Sequence, residues 1–278
     1  MPPAYVYHPV LFYLITILTA LTLGPITAYL NNLKGMEQLQ LSLLLFGLCV
    51  PCITAVVMIY ASHNKILIQD FWKRLLLFKI SPTYLIVILL LMPCAVFLAT
   101  WLSLFFGYPT DQFSITNEFS VMKGWAILGV AIPLLLAPII EELGWRGYGV
   151  DSLRAYFNLF TTSVLFGLLW GVWHLPAFFI KGYYHNQLWH LGIIYVINFF
   201  VSLFVIAILM NWVYYKTSRS IPAIILFHSV LNLSSILFKT EPFTKCIVTV
   251  LLCVVSIIVI VYDRDFFFSD SDIPMIQK

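Results

Sequence analysis

Six side chains in this sequence combine reactive chemistry with an awkward setting. Glu141, Glu142 and Arg146 lie in APIIEELGWRGYG, His174 in WGVWHLP, and His228 and Asn232 in HSVLN, each within or at the end of an apolar run. An ionisable group at membrane depth is expensive; it faces the bundle interior, finds a partner and marks function. Glu142 and Arg146 are i and i+4, so they share a helix face and can pair. Glu141 points about 100° away from Glu142 on a helix of 3.6 residues per turn, and is free for other work. His228 and Asn232 share a face in the same way, as do Trp170 and His174.

Hydrolysis is one chemistry this set supports. Glu141 would be the general base for a water, and His174 would bind that water and pass protons. His228 and Asn232 would donate hydrogen bonds to the oxyanion that develops on a cleaved amide. The same residues also suit a polar network that only locks three helices together, or an ion or proton pathway. Zinc is a further alternative, since Glu141, His174 and His228 make a two-histidine, one-glutamate ligand set. Against it, the sequence holds no H-E-x-x-H, whose spacing puts two ligands on one turn. Asn232 also suits a hydrogen-bond donor better than a zinc ligand.

The elements that must position these groups are membrane helices. Of 278 residues, 62% are hydrophobic and 10% charged, against roughly a quarter charged in a soluble domain. The chain is therefore expected to be an all-α, polytopic integral membrane bundle. A net charge of +3 with no basic run excludes nucleic acid as a partner. Eight stretches reach the roughly 20 apolar residues that a spanning helix needs: 9–30, 40–61, 83–106, 122–143, 160–180, 189–214, 220–238 and 243–262. Between the second and third, near 64–80, charges interleave with Ile, Leu, Phe and Trp, which predicts an amphipathic helix in the interface with basic residues toward head groups. The five cysteines fall in apolar spans and read as buried free thiols.

Lys and Arg in the loops predict orientation. One side collects ten (Lys65, Lys73, Arg74, Lys79, Arg146, Arg154, Lys216, Arg219, Arg264, Lys278) and the other five (Lys34, Lys123, Lys181, Lys239, Lys245). Both termini are then expected in the cytoplasm. One feature fits poorly: Glu141 would stand about 27 Å along a fourth span that begins near Lys123, close to its cytosolic end, whereas His174 lies deeper.

EELGWR fits the E-E-x-x-x-R motif of the CPBP family (CAAX proteases and bacteriocin-processing enzymes, or Abi family). WGVWHLP resembles its second motif, an aromatic residue four before a histidine, with Trp170 where Phe is usual. HSVLN fits its third, H-x-x-x-N. The three stand in the family's order between about Lys123 and Phe238. The resemblance implies an eight-span intramembrane endopeptidase whose founding activity removes the last three residues of a prenylated C-a-a-X protein at the cytosolic face. It makes Glu141, aided by His174, the activator of water, His228 and Asn232 the oxyanion pair, and Glu142 with Arg146 the supporting pair. It implies a metal-free mechanism with no cofactor, although zinc stays open. The expected partners are the bilayer and a peptide or lipidated protein within it. Residues 1–122 would be N-terminal spans, 123–238 the catalytic core, and 239–278 the last span with a short polar tail. A non-catalytic bacteriocin-immunity or scaffold protein is the rival reading.

Overall fold

The computed structural model describes residues 5–116 and 126–270, with backbone alone over 126–133. Residues 117–125, where the sequence places Lys123 and the start of the fourth span, lie outside the described residues. So do 271–278, the second half of the polar tail. The protein is an all-α polytopic membrane bundle, and the described helices follow the apolar runs closely. They are α1 (Pro9–Leu30), α2 (Glu37–Ala61), α3 (Lys65–Leu75), α4 (Pro82–Ser103), α5 (Ala126–Gly144), α6 (Val150–Arg154), α7 (Leu159–His174), α8 (Tyr184–Leu191), α9 (Ile193–Lys216), α10 (Ile221–Leu237), α11 (Pro242–Tyr262) and α12 (Arg264–Phe268). Among the described residues, α1, α2, α4, α7, α9 and α11 are long and apolar enough to cross a membrane, α4 and α7 with the short turns that extend them. The shorter apolar α10 and the 19-residue α5 pack among them.

Local chemistry sets the ends of these helices. Proline occupies the first turn of α1, α4, α10 and α11, where its missing N–H costs nothing. The Asn158 and Ser220 side chains accept backbone N–H bonds at the starts of α7 and α10. Leu90, Phe97, Ile257 and Val261 remain exposed on the outer surface, as befits a fold whose surrounding solvent is hydrocarbon. All five cysteines are free, but they are not buried: Cys94 is exposed and the others are half-buried. In lipid an apolar thiol needs no burial.

The amphipathic helix forms at α3, with Lys65 and Lys73 exposed on it. Two of its charges differ from expectation. Arg74 is buried and Asp70 is half-buried, and both turn inward to ion pairs. Arg146 and Arg154 are also buried, and Arg219 is mostly covered. Withdrawing these four arginines from the ten leaves six against five, so the charge asymmetry between the two ends of the bundle nearly vanishes.

The fourth span does not stop at its glutamates. Residues Trp145–Gly149 form one π-helical turn, and α6 continues from it to Arg154. Glu141 therefore lies about 20 Å from that helical end, and His174 about 22 Å from the start of α7 at the same end of the bundle. The mismatch in depth disappears, because WRGYG continues the helix instead of ending it.

Candidate active site

The π-turn sets the frame. Widening the helix by one residue frees carbonyls from the ladder, and Gly147 and Gly149 make the distortion cheap. Arg74 of α3 takes up the freed groups: its Nη1 donates to the Arg146 carbonyl at 2.6 Å and its Nη2 to that of Gly147 at 3.1 Å. The Tyr214 hydroxyl donates to the same Arg146 carbonyl at 3.0 Å. Arg74 in turn pairs with Asp70 at 2.6 Å and Asp151 at 3.1 Å, and Arg219 bridges both carboxylates at 2.7 and 2.8 Å. Burial pushes the Asp151 carboxyl up, but Arg219 and Arg74 outweigh it and hold the group below the usual carboxylate range. Ser218 and Arg219 sit in left-handed backbone (φ 56° and 65°) in the turn between α9 and α10. That strained turn aims Arg219 into the cluster.

One level deeper, Glu142 is fully buried between two partners. Arg146 Nη1 donates to its Oε2 at 2.7 Å, and His228 Nδ1 lies 2.8 Å from its Oε1. A carboxylate can only accept, so His228 carries a proton on Nδ1. Asn211 of α9 accepts from Arg146 Nη2 at 3.1 Å and donates to Ser163 of α7 at 3.1 Å. Four helices are thus tied through one buried polar chain.

Trp170 stands at the centre of the histidines. Its ring lies 5.6 Å from that of His174 and 5.8 Å from that of His228, and it stacks on Phe166 at 5.5 Å. The indole N–H groups of Trp145 and Trp170 face Glu141 without closing a hydrogen bond, and Glu141 Oε2 is buried with no bonding partner. Each such group is costly unless something polar meets it. Glu141 and His174 line a common cavity of about 330 Å³, with Leu41, Leu44 and Leu48 of α2, Gly24 of α1, and His185 of α8. The cavity runs from Glu141 toward the end of the bundle that carries α8.

The sequence-predicted residues therefore divide. Glu141 and His174 share the cavity. Glu142 holds His228 as well as Arg146, a contact between residues 86 apart in the chain that spacing could not reveal. His228 meets the Trp170 ring edge-on at 5.8 Å and is not part of the cavity lining. Asn232 is half-buried one turn beyond it, and its side chain enters no hydrogen bond among the described residues. Glu141, His174 and His228 do not converge as ligands: among the described residues, no three His, Cys, Asp or Glu side chains are placed to hold a metal ion.

Four participants escaped the sequence reading. Asn211 is an intramembrane polar residue that the same depth rule would have flagged. Arg74 and Arg219 read as loop charges until the fold turned them inward. His185 sits in KGYYHNQLW, a stretch without clear periodicity. Its ring stacks on His174 with centroids 5.3 Å apart, and burial presses its imidazole down to about 4.

Comparison with known proteins bears on this arrangement. Residues 123–234 match the family described as Type II CAAX prenyl endopeptidase Rce1-like. The chain is also 36% identical over 269 residues to CAAX prenyl protease 2 of Methanococcus maripaludis, spanning 96% of this chain and 98% of that protein.

Proposed function

Because the chain belongs to the Rce1-like family of type II CAAX prenyl endopeptidases, we propose that Glu141 activates the water of an intramembrane peptide hydrolysis. The protein is a peptidase of the membrane. The observation that carries the role of Glu141 is its buried, unpartnered Oε2, on a side chain that lines one cavity with His174. In this reading Glu141 takes a proton from water, and the hydroxide adds to the scissile carbonyl. His174 orients the water. His228 as the imidazolium, its Nδ1–H held by Glu142 and its Nε2–H free, and Asn232 donate to the oxyanion once the peptide is bound. Collapse of the tetrahedral intermediate expels the amine, which takes the proton from Glu141. No step in this reading uses a metal. The substrate class is the prenylated C-a-a-X terminus in the name of the archaeal relative, and the leucine-rich wall from α2 suits an apolar ligand. A non-catalytic scaffold is not favoured by near full-length similarity to a protease.

Glu141→Gln keeps the shape and removes the base. It is expected to lower kcat by about 10²–10⁴-fold, with an unchanged melting temperature and no dependence of wild-type activity on chelators. Wild-type turnover by Glu141→Gln rules out this role.

The course of the cavity also bears on orientation. With the charge asymmetry nearly gone, we place the α8 end toward the compartment that holds the substrate. Cytosolic cleavage then sets both termini on the opposite face. A membrane-impermeant thiol reagent applied from outside to intact cells should spare a cysteine placed at Gly182; outside labelling of it would reverse the assignment.

A further inference from the structure

We propose that His185 is a further substrate-binding residue of this cavity, hydrogen-bonding the backbone of the bound peptide beside Glu141 and His174. The inference rests on the cavity being the peptidase site. Its starting point is the chemistry of the lining, which is otherwise aliphatic and aromatic apart from a few polar groups. Thr27 is already committed, since its hydroxyl donates to the Leu23 carbonyl at 2.7 Å. That leaves Glu141, His174 and His185 as the ionisable groups facing the space, together with the Tyr183 phenol. Nothing in the sequence motifs calls on His185.

Its ring is fixed more firmly than packing alone would ask. The plane lies 22° from that of His174 at 5.3 Å, a stacked arrangement in which neither ring can donate to the other. Phe199 meets it edge-on at 4.7 Å and Phe178 at 5.3 Å. Asn186, its neighbour, ties α8 to the Phe178 carbonyl at 2.8 Å. Held on these sides, the imidazole still keeps Nδ1 buried without a partner. A phenyl ring would stack equally well and leave no orphaned nitrogen, so packing does not account for a histidine here.

A neutral imidazole carries one N–H donor and one acceptor nitrogen. A peptide backbone presents the complementary C=O and N–H. The ring lines the same cavity as Glu141 and His174 from the α8 side, and its aromatic cage keeps it oriented before binding. Stacking also makes it a support for His174, whose ring it covers on one face.

The test uses the full chain in detergent micelles and a synthetic peptide ending in a prenylated C-a-a-X sequence. His185→Phe keeps the stacking and removes both nitrogens. It is expected to raise KM about tenfold, the worth of one neutral hydrogen bond, while kcat stays within about twofold. His185→Gln restores a donor and an acceptor and should bring KM back to within about threefold of wild type. A packing role would lower the melting temperature and leave KM alone. Wild-type KM in His185→Phe, or a loss confined to kcat, overturns the proposal. Should His185→Phe not fold, His185→Leu is read in its place by the same criteria. Glu141→Gln measured in parallel separates the two claims: full activity there sinks the peptidase site, whereas an inactive Glu141→Gln beside an unaffected His185→Phe sinks only the role of His185.

Discussion

His228 Nδ1 stands 2.8 Å from Glu142 Oε1, joining residues that four helices of intervening chain separate. The second oxygen of that carboxylate is held by Arg146 at 2.7 Å, so Glu142 is the acceptor between two buried donors. The adjacent glutamates therefore differ in satisfaction as well as in direction. Glu142 is fully engaged, while Glu141 has an oxygen without a partner.

This asymmetry predicts different consequences for two substitutions at Glu142. Glu142→Ala strands the Arg146 guanidinium in the interior, which costs about 3–5 kcal/mol for a broken buried pair, and folded protein should be largely lost. Glu142→Gln keeps an oxygen that can accept from either partner but removes the charge. It should fold with a lowered melting temperature and lose about 10-fold or more in kcat, because His228 is no longer held on Nδ1 by a carboxylate. Thermal unfolding and peptide cleavage measured on both variants check this. Equal stability of Glu142→Ala and wild type would remove Glu142 from the centre of the network.

Acid should loosen the interface cluster in a way that depends on Asp151. Arg219 and Arg74 hold this carboxyl below its ordinary value despite burial. The folded protein thus binds the proton more weakly than the unfolded chain does. Its contribution to stability is complete above the unfolded pKa of about 3.9 and is lost as pH falls toward the depressed folded value. Asp151→Asn should cost about 3–5 kcal/mol at pH 7, and its deficit against wild type should shrink below pH 4. Melting curves at pH 7 and pH 3 decide it. A deficit that stays constant across that range would mean that Asp151 acts through packing alone.

Much of this was legible in the sequence, and the remainder was hidden for identifiable reasons. Apolar runs of some 20 residues placed the spans, because a bilayer admits few other solutions. The i,i+4 rule gave the Glu142–Arg146 pair, since both residues ride on one helix. Contacts between helices were not legible in that way. Nothing in the spacing of HSVLN points His228 at Glu142, and nothing in KRLLL marks Arg74 as the buried member beside an exposed Lys73. The apolar run put the end of the fourth span near 143, yet a π-turn carried the helix on through WRGYG and set the depth of Glu141. Periodicity describes one element at a time, and the site is made between elements.

Gly144 shows how closely those elements must approach. A Cβ added there would stand 2.5 Å from the Pro51 carbonyl carbon and 2.7 Å from the Cys52 nitrogen. Both are backbone atoms of α2, so no side chain can swing aside to make room. The crossing of α5 and α2 is in backbone contact, three residues after Glu141 and on the helix whose leucines line the cavity. Gly144→Ala must push the two helices apart, and Glu141 moves with α5 relative to His174 on α7. A displacement of about 1 Å at reacting groups can cost 10²-fold in rate. The variant is therefore expected to lose at least about 10²-fold in kcat, and to melt at a lower temperature because a methyl group is forced into a filled contact. Thermal unfolding and cleavage of the prenylated peptide measure both effects. Wild-type kcat in a folded Gly144→Ala protein would show that the crossing has slack, and that the position of Glu141 is set elsewhere, by the Arg74-capped turn beyond it.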